Sequence, residues 1–217
     1  MRARTVAVAT VAFAGFAAAG VYGRMPTISA PASGGVLAAC GTERWAVKTL
    51  TDPAASKVVY GKTRRRSVES LRRLAAPAHL QPMTPRGSGT ERGVYRVTAL
   101  LMSMRREDDS DIHLVLADPK LGGSMIAEFP AAACMTGAAA TQRSEIEQAR
   151  AALAAACGGE PGRHPVELTG SATLTGVGFF DVIHGQSGVA PNGIELHPVL
   201  SFASTSCKRV SSASGRR

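Results

Sequence analysis

The sequence predicts a mainly β protein: a five-stranded OB-like barrel with one helix between strands three and four, preceded by an N-terminal extension. Three observations carry this. Five segments have strand length and apolar or alternating composition. One well-framed helix falls between the third and the fourth. The connections are short and rich in Gly, Pro and Asp. The order β-β-β-α-β-β is the chain order of the OB-fold, whose closure removes free sheet edges. A β-sandwich generally takes more strands and has no such central helix.

Taken in chain order, residues 1–24 read as a signal peptide. Arg2 and Arg4 form its basic start, Thr5 to Gly23 is uncharged and apolar, and Ala17-Ala18-Ala19 and Ala30-Pro31-Ala32 both fit a small-x-small cleavage site. The apolar run of nineteen residues also suits a membrane anchor. Its Ala and Gly content favours cleavage. Residues 25–40 form a low-complexity spacer. Leu37-Ala38-Ala39-Cys40-Gly41 matches a bacterial lipobox, with Arg24 and a Pro/Ser/Gly-rich stretch between it and the apolar run, so lipidation of Cys40 is an alternative.

Residues 41–92 read as a basic extension. Glu43 to Leu50 alternates as a strand, ended by Asp52-Pro53. Lys62 to Arg66 is a basic run expected as an exposed loop. Ser67 then caps a short helix striped by Val68, Leu71 and Leu74. Pro77 to Arg92 reads as a loop. Residues 93–206 hold the barrel. Val94 to Met104 is the first strand, Arg105 to Asp111 a charged turn, Ile112 to Leu116 the second strand, Asp118 to Gly123 a hairpin turn, and Ser124 to Phe129 the third strand. The helix runs from Ser144, its N-cap with Glu147 in the capping-box position, to Ala156, with Gly158-Gly159 as the stop. Pro165 to Val177 is the fourth strand, bent at Gly170, and Gly193 to Phe202 the fifth. From Ala203 the chain is expected to be polar and loose, and residues 207–217 form a basic tail.

Four cysteines in an exported chain point to two disulfides. Of the three possible connectivities we expect Cys40–Cys134 with Cys157–Cys207, because each ties a terminus to the body. No CxxC or CxxH spacing supports a structural zinc site.

The 217 residues carry a net charge of +9, with 45% apolar and 5% aromatic content. That excludes a fully disordered chain and a multi-pass membrane protein, and argues against a groove lined with aromatic rings. The charge is unevenly placed. Residues 41–106 hold fourteen Lys/Arg against four acids, whereas residues 107–206 hold four against twelve. A basic front therefore precedes an acidic body. The front suits an anionic polymer or envelope component; the body suits a cation.

The stretches Glu43 to Thr49, Asp109 to Leu116, Gly176 to Gln186 and Pro191 to Leu200 resemble a group of uncharacterised exported bacterial proteins. That resemblance covers most of residues 41–202 and implies export and fold without chemistry. The charged turn between strands one and two also resembles that of the calcium-dependent thermonuclease family, which is OB-fold. That family holds a metal with strand and loop carboxylates and contacts phosphate with arginines. Here the third strand reads Met125-Ile126-Ala127-Glu128 and carries no arginine.

Three constellations could carry chemistry. In the turn Glu107-Asp108-Asp109-Ser110-Asp111, Asp111 shares a strand face with His113. Near the C-terminus, Asp181 and His184 enter a loop, and Glu195 and His197 share a face of the last strand. Together Asp111, His113, Asp181, His184, Glu195 and His197 form a candidate set for a divalent metal, Ca or Zn. His184, Gln186 and Asn192 are candidate binding residues on the same loop. Arg64, Arg65 and Arg66 could grip phosphate. No GxSxG, P-loop or HExxH occurs. The expected function is an exported OB-like binding domain without catalysis. The alternatives are a metal-dependent hydrolase acting on phosphodiesters and a cell-envelope structural or adaptor protein.

Overall fold

The computed structural model describes residues 39–211. The signal-peptide reading, most of the spacer and the last residues of the tail fall outside them. In chain order the regular elements are α1 (Trp45–Lys48), β1 (Val59–Arg65), α2 (Val68–Arg72), β2 (Gly93–Arg106), β3 (Ile112–Ala117) and β4 (Ser124–Phe129). They continue with α3 (Ala140–Ala156), β5 (Val166–Thr169), β6 (Ser171–Phe180), β7 (Ile194–Ala203) and β8 (Lys208–Arg209).

The long strand β2 pairs antiparallel with both β3 and β6, β3 pairs with β4, β4 runs parallel to β7, and β7 pairs antiparallel with β6. The ring β2-β3-β4-β7-β6 is therefore closed. It is the five-stranded OB-like barrel expected from the sequence, with α3 between the third and fourth barrel strands. Closure is possible because β2, at 14 residues, is long enough to pair with different partners along its length.

Alternation sorts the strand residues into two faces. Val97, Ala99, Leu101, Leu114, Leu116, Met125, Ala127, Phe129, Leu174 and Leu196 join one continuous apolar cluster with Leu153 of α3 and with Val68 and Leu71 of α2. This is the barrel interior, and side chains fill it. The residues between them point outward. Part of that outer face is covered by a second cluster in which Val94, Val177 and Leu200 meet Leu50, Val58, Met135 and Ile146.

Four expectations are corrected. Glu43 to Leu50 is not a strand: residues 45–48 make one helical turn, entered through Arg44 at φ 47° and closed by the Thr49 amide bonding the Trp45 carbonyl at 2.9 Å. The basic run is not a loop. Lys62, Arg64 and Arg65 lie in β1, which pairs parallel with the start of β2, and the Arg66 amide bonds the Arg96 carbonyl at 3.0 Å. Ser144 is not an N-cap, because α3 starts at Ala140; its hydroxyl instead accepts from Gln148 Nε2 at 2.9 Å. The chain after Ala203 is not loose as far as Ser211: Lys208 and Arg209 pair with Thr169 and Leu168 of β5, and Cys207 is bonded to Cys157. The other disulfide is Cys40–Cys134, so the connectivity is the expected one. Ser67 caps α2, accepting from the Ser70 amide at 3.1 Å. The expected bend at Gly170 separates β5 from β6. There φ is 99° and a Cβ would lie 2.1 Å from the Ser206 carbonyl oxygen, so glycine is required.

The segment before the barrel is fastened by buried charges. Arg44 donates to both carboxylate oxygens of Glu91, at 2.8 and 2.9 Å, and to the carbonyls of Thr84, Pro85 and Phe180. Arg86 donates to Asp52, at 2.8 Å for its closest contact, and to the carbonyls of Val47 and Glu91. All four charged side chains are buried. Removing one partner of such a pair leaves the other charged and desolvated. Arg44→Met is therefore expected to lose about 3–5 kcal/mol of stability in urea denaturation. A midpoint equal to that of the parent protein would show that this network does not hold the segment.

Candidate functional site

The residues with chemical potential collect on the outer face of β3, β4 and β7, and register explains why. Arg105 of β2 pairs with His113 of β3, and His113 pairs with Glu128 of β4. Ile126 of β4 pairs with Glu195 of β7, which also pairs with Phe179 of β6. Two residues further along both parallel strands, Glu128 and His197 fall on that same face. A polar row thus crosses four adjacent strands, opposite the apolar interior.

Two turns rise at its edges. The turn 107–111 is closed by the Glu107 amide on the Asp111 carbonyl at 2.8 Å and by the Asp111 amide on Asp109 Oδ1 at 3.1 Å. The loop 181–193 is closed by the Asp181 amide on the Gly193 carbonyl at 2.8 Å. Between them, with Trp45 and Lys48 of α1 as a further wall, lies a cleft of about 410 Å³. Its walls carry seven carboxylates, those of Glu43, Glu107, Asp108, Asp109, Glu128, Asp181 and Glu195, against the fixed cations Lys48 and Arg105.

Three contact groups make up the floor. In the first, His113 Nδ1 lies 2.8 Å from Glu128 Oε1 and 3.2 Å from Glu107 Oε1, and its Nε2 lies 2.9 Å from the Ser187 carbonyl. Arg105 also reaches Glu107 Oε1, at 2.8 Å. In the second, His197 stands between Asp111, 3.3 Å from its Nε2, and Glu195, 3.7 Å from its Nδ1. These are ionic approaches without hydrogen-bond geometry, and the polar atoms involved have no hydrogen-bond partner. In the third, Lys48 Nζ donates to Asp181 Oδ2 at 3.1 Å, and the ammonium lies 5.4 Å from the centre of the Phe179 ring.

Burial and charge then compete in setting protonation. Burial pushes the Glu195 carboxyl up, His197 opposes that, and the nearby Asp181 and Glu128 charges add to it; the result is about 7. Burial alone would lower both imidazoles. Asp111 and Glu195 outweigh it at His197, and Glu128, Ser187 and Glu107 outweigh it at His113, so both stand at about 9. Burial also raises Asp111 and Glu128 above the ordinary carboxylate range, against the pull of their histidine partners. Lys48 is raised: burial disfavours its charge, but Asp181, Glu195 and Glu128 restore it.

The six residues expected to share one metal do not form one ligand shell. Asp111, Glu195 and His197 are together, His113 belongs to a group with Glu107 and Glu128, and Asp181 is engaged by Lys48. His184 is exposed on the cleft rim. Two of the expected binding residues hold the loop itself. The Gln186 side chain accepts from the His184 amide and donates to the Val182 carbonyl. Asn192 donates to the carbonyls of Leu71 and Leu74 at the end of α2, at 3.0 and 2.9 Å. Arg64, Arg65 and Arg66 are exposed and outside the cleft, with the Arg64 guanidinium 5.9 Å from the Tyr95 ring centre. Sequence reasoning missed Glu128, Lys48, Trp45 and Arg105. The signal for Glu128 was present: it is the single charge in an otherwise apolar strand.

No protein-family model, curated protein or solved structure matches the chain.

The raised groups set a sign for the pH dependence of stability. Between about 4.5 and 7 the folded protein keeps a proton on Glu195 that the unfolded chain has lost. Between about 6.5 and 9 the same holds for His113 and His197. Folding therefore binds protons over this window, and stability falls as pH rises. The lowered carboxyls Glu91, Asp118 and Glu160 act only under more acidic conditions. The melting temperature should decline steadily from about pH 5 to pH 9, with Glu195→Gln flattening the lower half. A melting temperature that climbs over that range contradicts this assignment.

Proposed function

We propose that the chain is an exported ligand-binding domain and that the cleft over β3 and β4 takes a cationic ligand. One observation carries this: seven carboxylates outnumber Lys48, Arg105 and the charged His113 around an open cleft of ligand size. Its position agrees with the reading, since OB barrels bind ligands on the face of their second and third strands, between the loops that join strands one to two and four to five. Trp45 adds an indole beside the carboxylates, a pairing that favours ammonium and guanidinium groups. The same charge disfavours nucleic acid in the cleft. An anionic polymer or envelope component would meet the exposed arginines of residues 64–66 instead.

The export reading is supported by the two disulfides, which suit an oxidising compartment. Among the described residues no helix is long and apolar enough to cross a membrane.

A second reading, hydrolysis, is favoured by Glu195. A carboxyl at about 7 on a cleft wall, beside a histidine, suits general acid–base chemistry near neutrality. Phosphodiester substrates would place anionic oxygens among the carboxylates, so this reading requires a bridging cation.

Calorimetric titration with arginine methyl ester, spermidine, a neutral oligosaccharide and a short single-stranded oligonucleotide tests the binding reading. The two cationic probes should bind with an affinity that weakens with salt, and Glu195→Gln together with Asp109→Asn should weaken them at least about fivefold, roughly 1 kcal/mol. Equal binding of the neutral oligosaccharide, or cationic binding unchanged in the double variant, overturns it.

A further inference from the structure

We propose that Glu107, His113 and Glu128 form a three-ligand site for a divalent transition metal, with zinc the ion of choice, open to the cleft on its remaining side. The inference rests on the cleft being the binding site and names an occupant for its floor.

The geometry is that of a donor set around one point. One atom from each of the three residues lies within 4.8 Å of the others. His113 Nδ1 is 2.8 Å from Glu128 Oε1 and 3.2 Å from Glu107 Oε1. Donors held about 2.0–2.2 Å from a common ion stand roughly 3–3.5 Å apart, so small side-chain rotations would seat it. Glu128 and His113 are register partners on adjacent strands, which fixes two of the three donors on rigid elements.

Two further observations point to an ion. The Nε2 of His113 faces the Ser187 carbonyl at 2.9 Å and donates its hydrogen there. A backbone carbonyl on the far nitrogen is the outer partner of a metal-bound histidine; the near nitrogen, which holds its hydrogen against Glu128, gives up that proton when an ion takes its place. Here that near nitrogen points between two carboxylates. Independently, Glu128 Oε2 has no hydrogen-bond partner, although Glu128 is only 7% exposed and lines the cleft. A buried carboxylate oxygen without a donor is costly, and an ion beside it removes the cost.

The donor types narrow the metal. One imidazole with two carboxylates suits Zn²⁺ or Mn²⁺, whereas Ca²⁺ takes oxygen ligands alone. Arg105 pairs with the same Glu107 Oε1 that lies nearest His113, so an ion bound there shares that oxygen with Arg105 or displaces the guanidinium from it. The other histidines are poorer candidates: neither ring nitrogen of His197 has a hydrogen-bond partner to fix its tautomer, and His184 sits on the exposed rim.

The test uses the full purified protein, stripped with chelator and titrated with ZnCl₂ by calorimetry, and with CoCl₂ by visible absorption. The expected result is one ion per chain, unaffected by excess Ca²⁺. His113→Ala and Glu107→Gln should each weaken binding at least about tenfold, about 1.4 kcal/mol, while His184→Ala leaves it unchanged. Glu107 is half-buried at a turn, so its variant separates ligand loss from misfolding, which circular dichroism checks. Absence of stoichiometric zinc binding, binding that survives His113→Ala in a folded protein, or binding abolished by His184→Ala overturns the proposal. If zinc fails while the cationic probes still bind the cleft, the metal site falls and the binding reading stands; if both fail, both fall.

Discussion

The ion pair between Arg44 and Glu91 is the constraint on which the site depends. Arg44 uses its guanidinium donors on Glu91 and on three carbonyls from two parts of the chain, the adjacent Thr84 and Pro85 and, at the end of a barrel strand, Phe180. Glu91 answers by accepting from the Phe180 and Gly87 amides. Its carboxyl ends below the usual range because these donors together outweigh its burial. The pair therefore joins the extension, the loop before β2 and the barrel in one contact. Buried ion pairs add little stability compared with apolar packing, but they specify geometry, since a charge out of place is heavily penalised. Here they specify where α1 sits. The Arg44 guanidinium lies 4.7 Å from the Phe179 ring centre, and one helical turn later Lys48 reaches the same ring and Asp181. Without this fastening the outer face of β3, β4 and β7 would be an exposed sheet surface. With it, that face becomes the floor of a cleft.

The acidity of the floor follows from the same arrangement. Covering the polar row removes water from Asp111, Glu128, Glu195 and His197, and each carboxylate then needs a cation close by. The sequence supplies two histidines and one lysine for this, and all three are held in the charged form by the carboxylates they serve. The balance remains negative. This recasts the asymmetry between basic front and acidic body. Part of it is settled internally, by Arg44 and Arg86 within the front and by Lys48 across to Asp181. The remainder stays separated: arginines exposed on β1, carboxylates collected in the cleft. The net charge of +9 describes neither surface.

The barrel was legible because its signals are local. Alternation in β2, the hairpin turn at residues 118–123, and glycines at positive φ where β5 gives way to β6 and where α3 ends each report on a few neighbouring residues. The failures are equally physical. Glu43 to Leu50 alternates well enough for a strand, but partners distant in sequence, Glu91 and Pro82 among them, capture Arg44 and turn the backbone into a helix. β1 is solvent-exposed along nearly its whole length, so it has no apolar alternation to read and shows only charge. The start of α3 lies in an Ala-rich stretch with no side-chain cap to mark it. The site was half legible. Asp111 with His113 and Glu195 with His197 follow from alternation along single strands. Which strand lies beside which follows from closure of the barrel, and so does the placing of Glu128 between them.

That the site lies outside the barrel is itself a consequence of strand number. Five strands enclose a space that ordinary side chains fill, here Leu101, Leu114, Leu116, Met125 and Phe129 among others, which leaves no room for a ligand. Binding must then use the outer face, where a bare strand surface offers little shape. The loop 181–193 supplies part of it, and it is fixed at two points: His113 holds Ser187 at its middle on the cleft side, and Asn192 ties its end to α2. The Gly188 backbone packs against Val115 so closely that a Cβ would lie 2.4 Å from its methyl carbon, so no larger residue fits there. His113 therefore does two things with its two nitrogens. One orders the loop, and the other faces Glu107 and Glu128. Whatever occupies the space between those carboxylates acts on the same imidazole that positions the loop, so occupancy of the floor and order at the rim are linked through one residue.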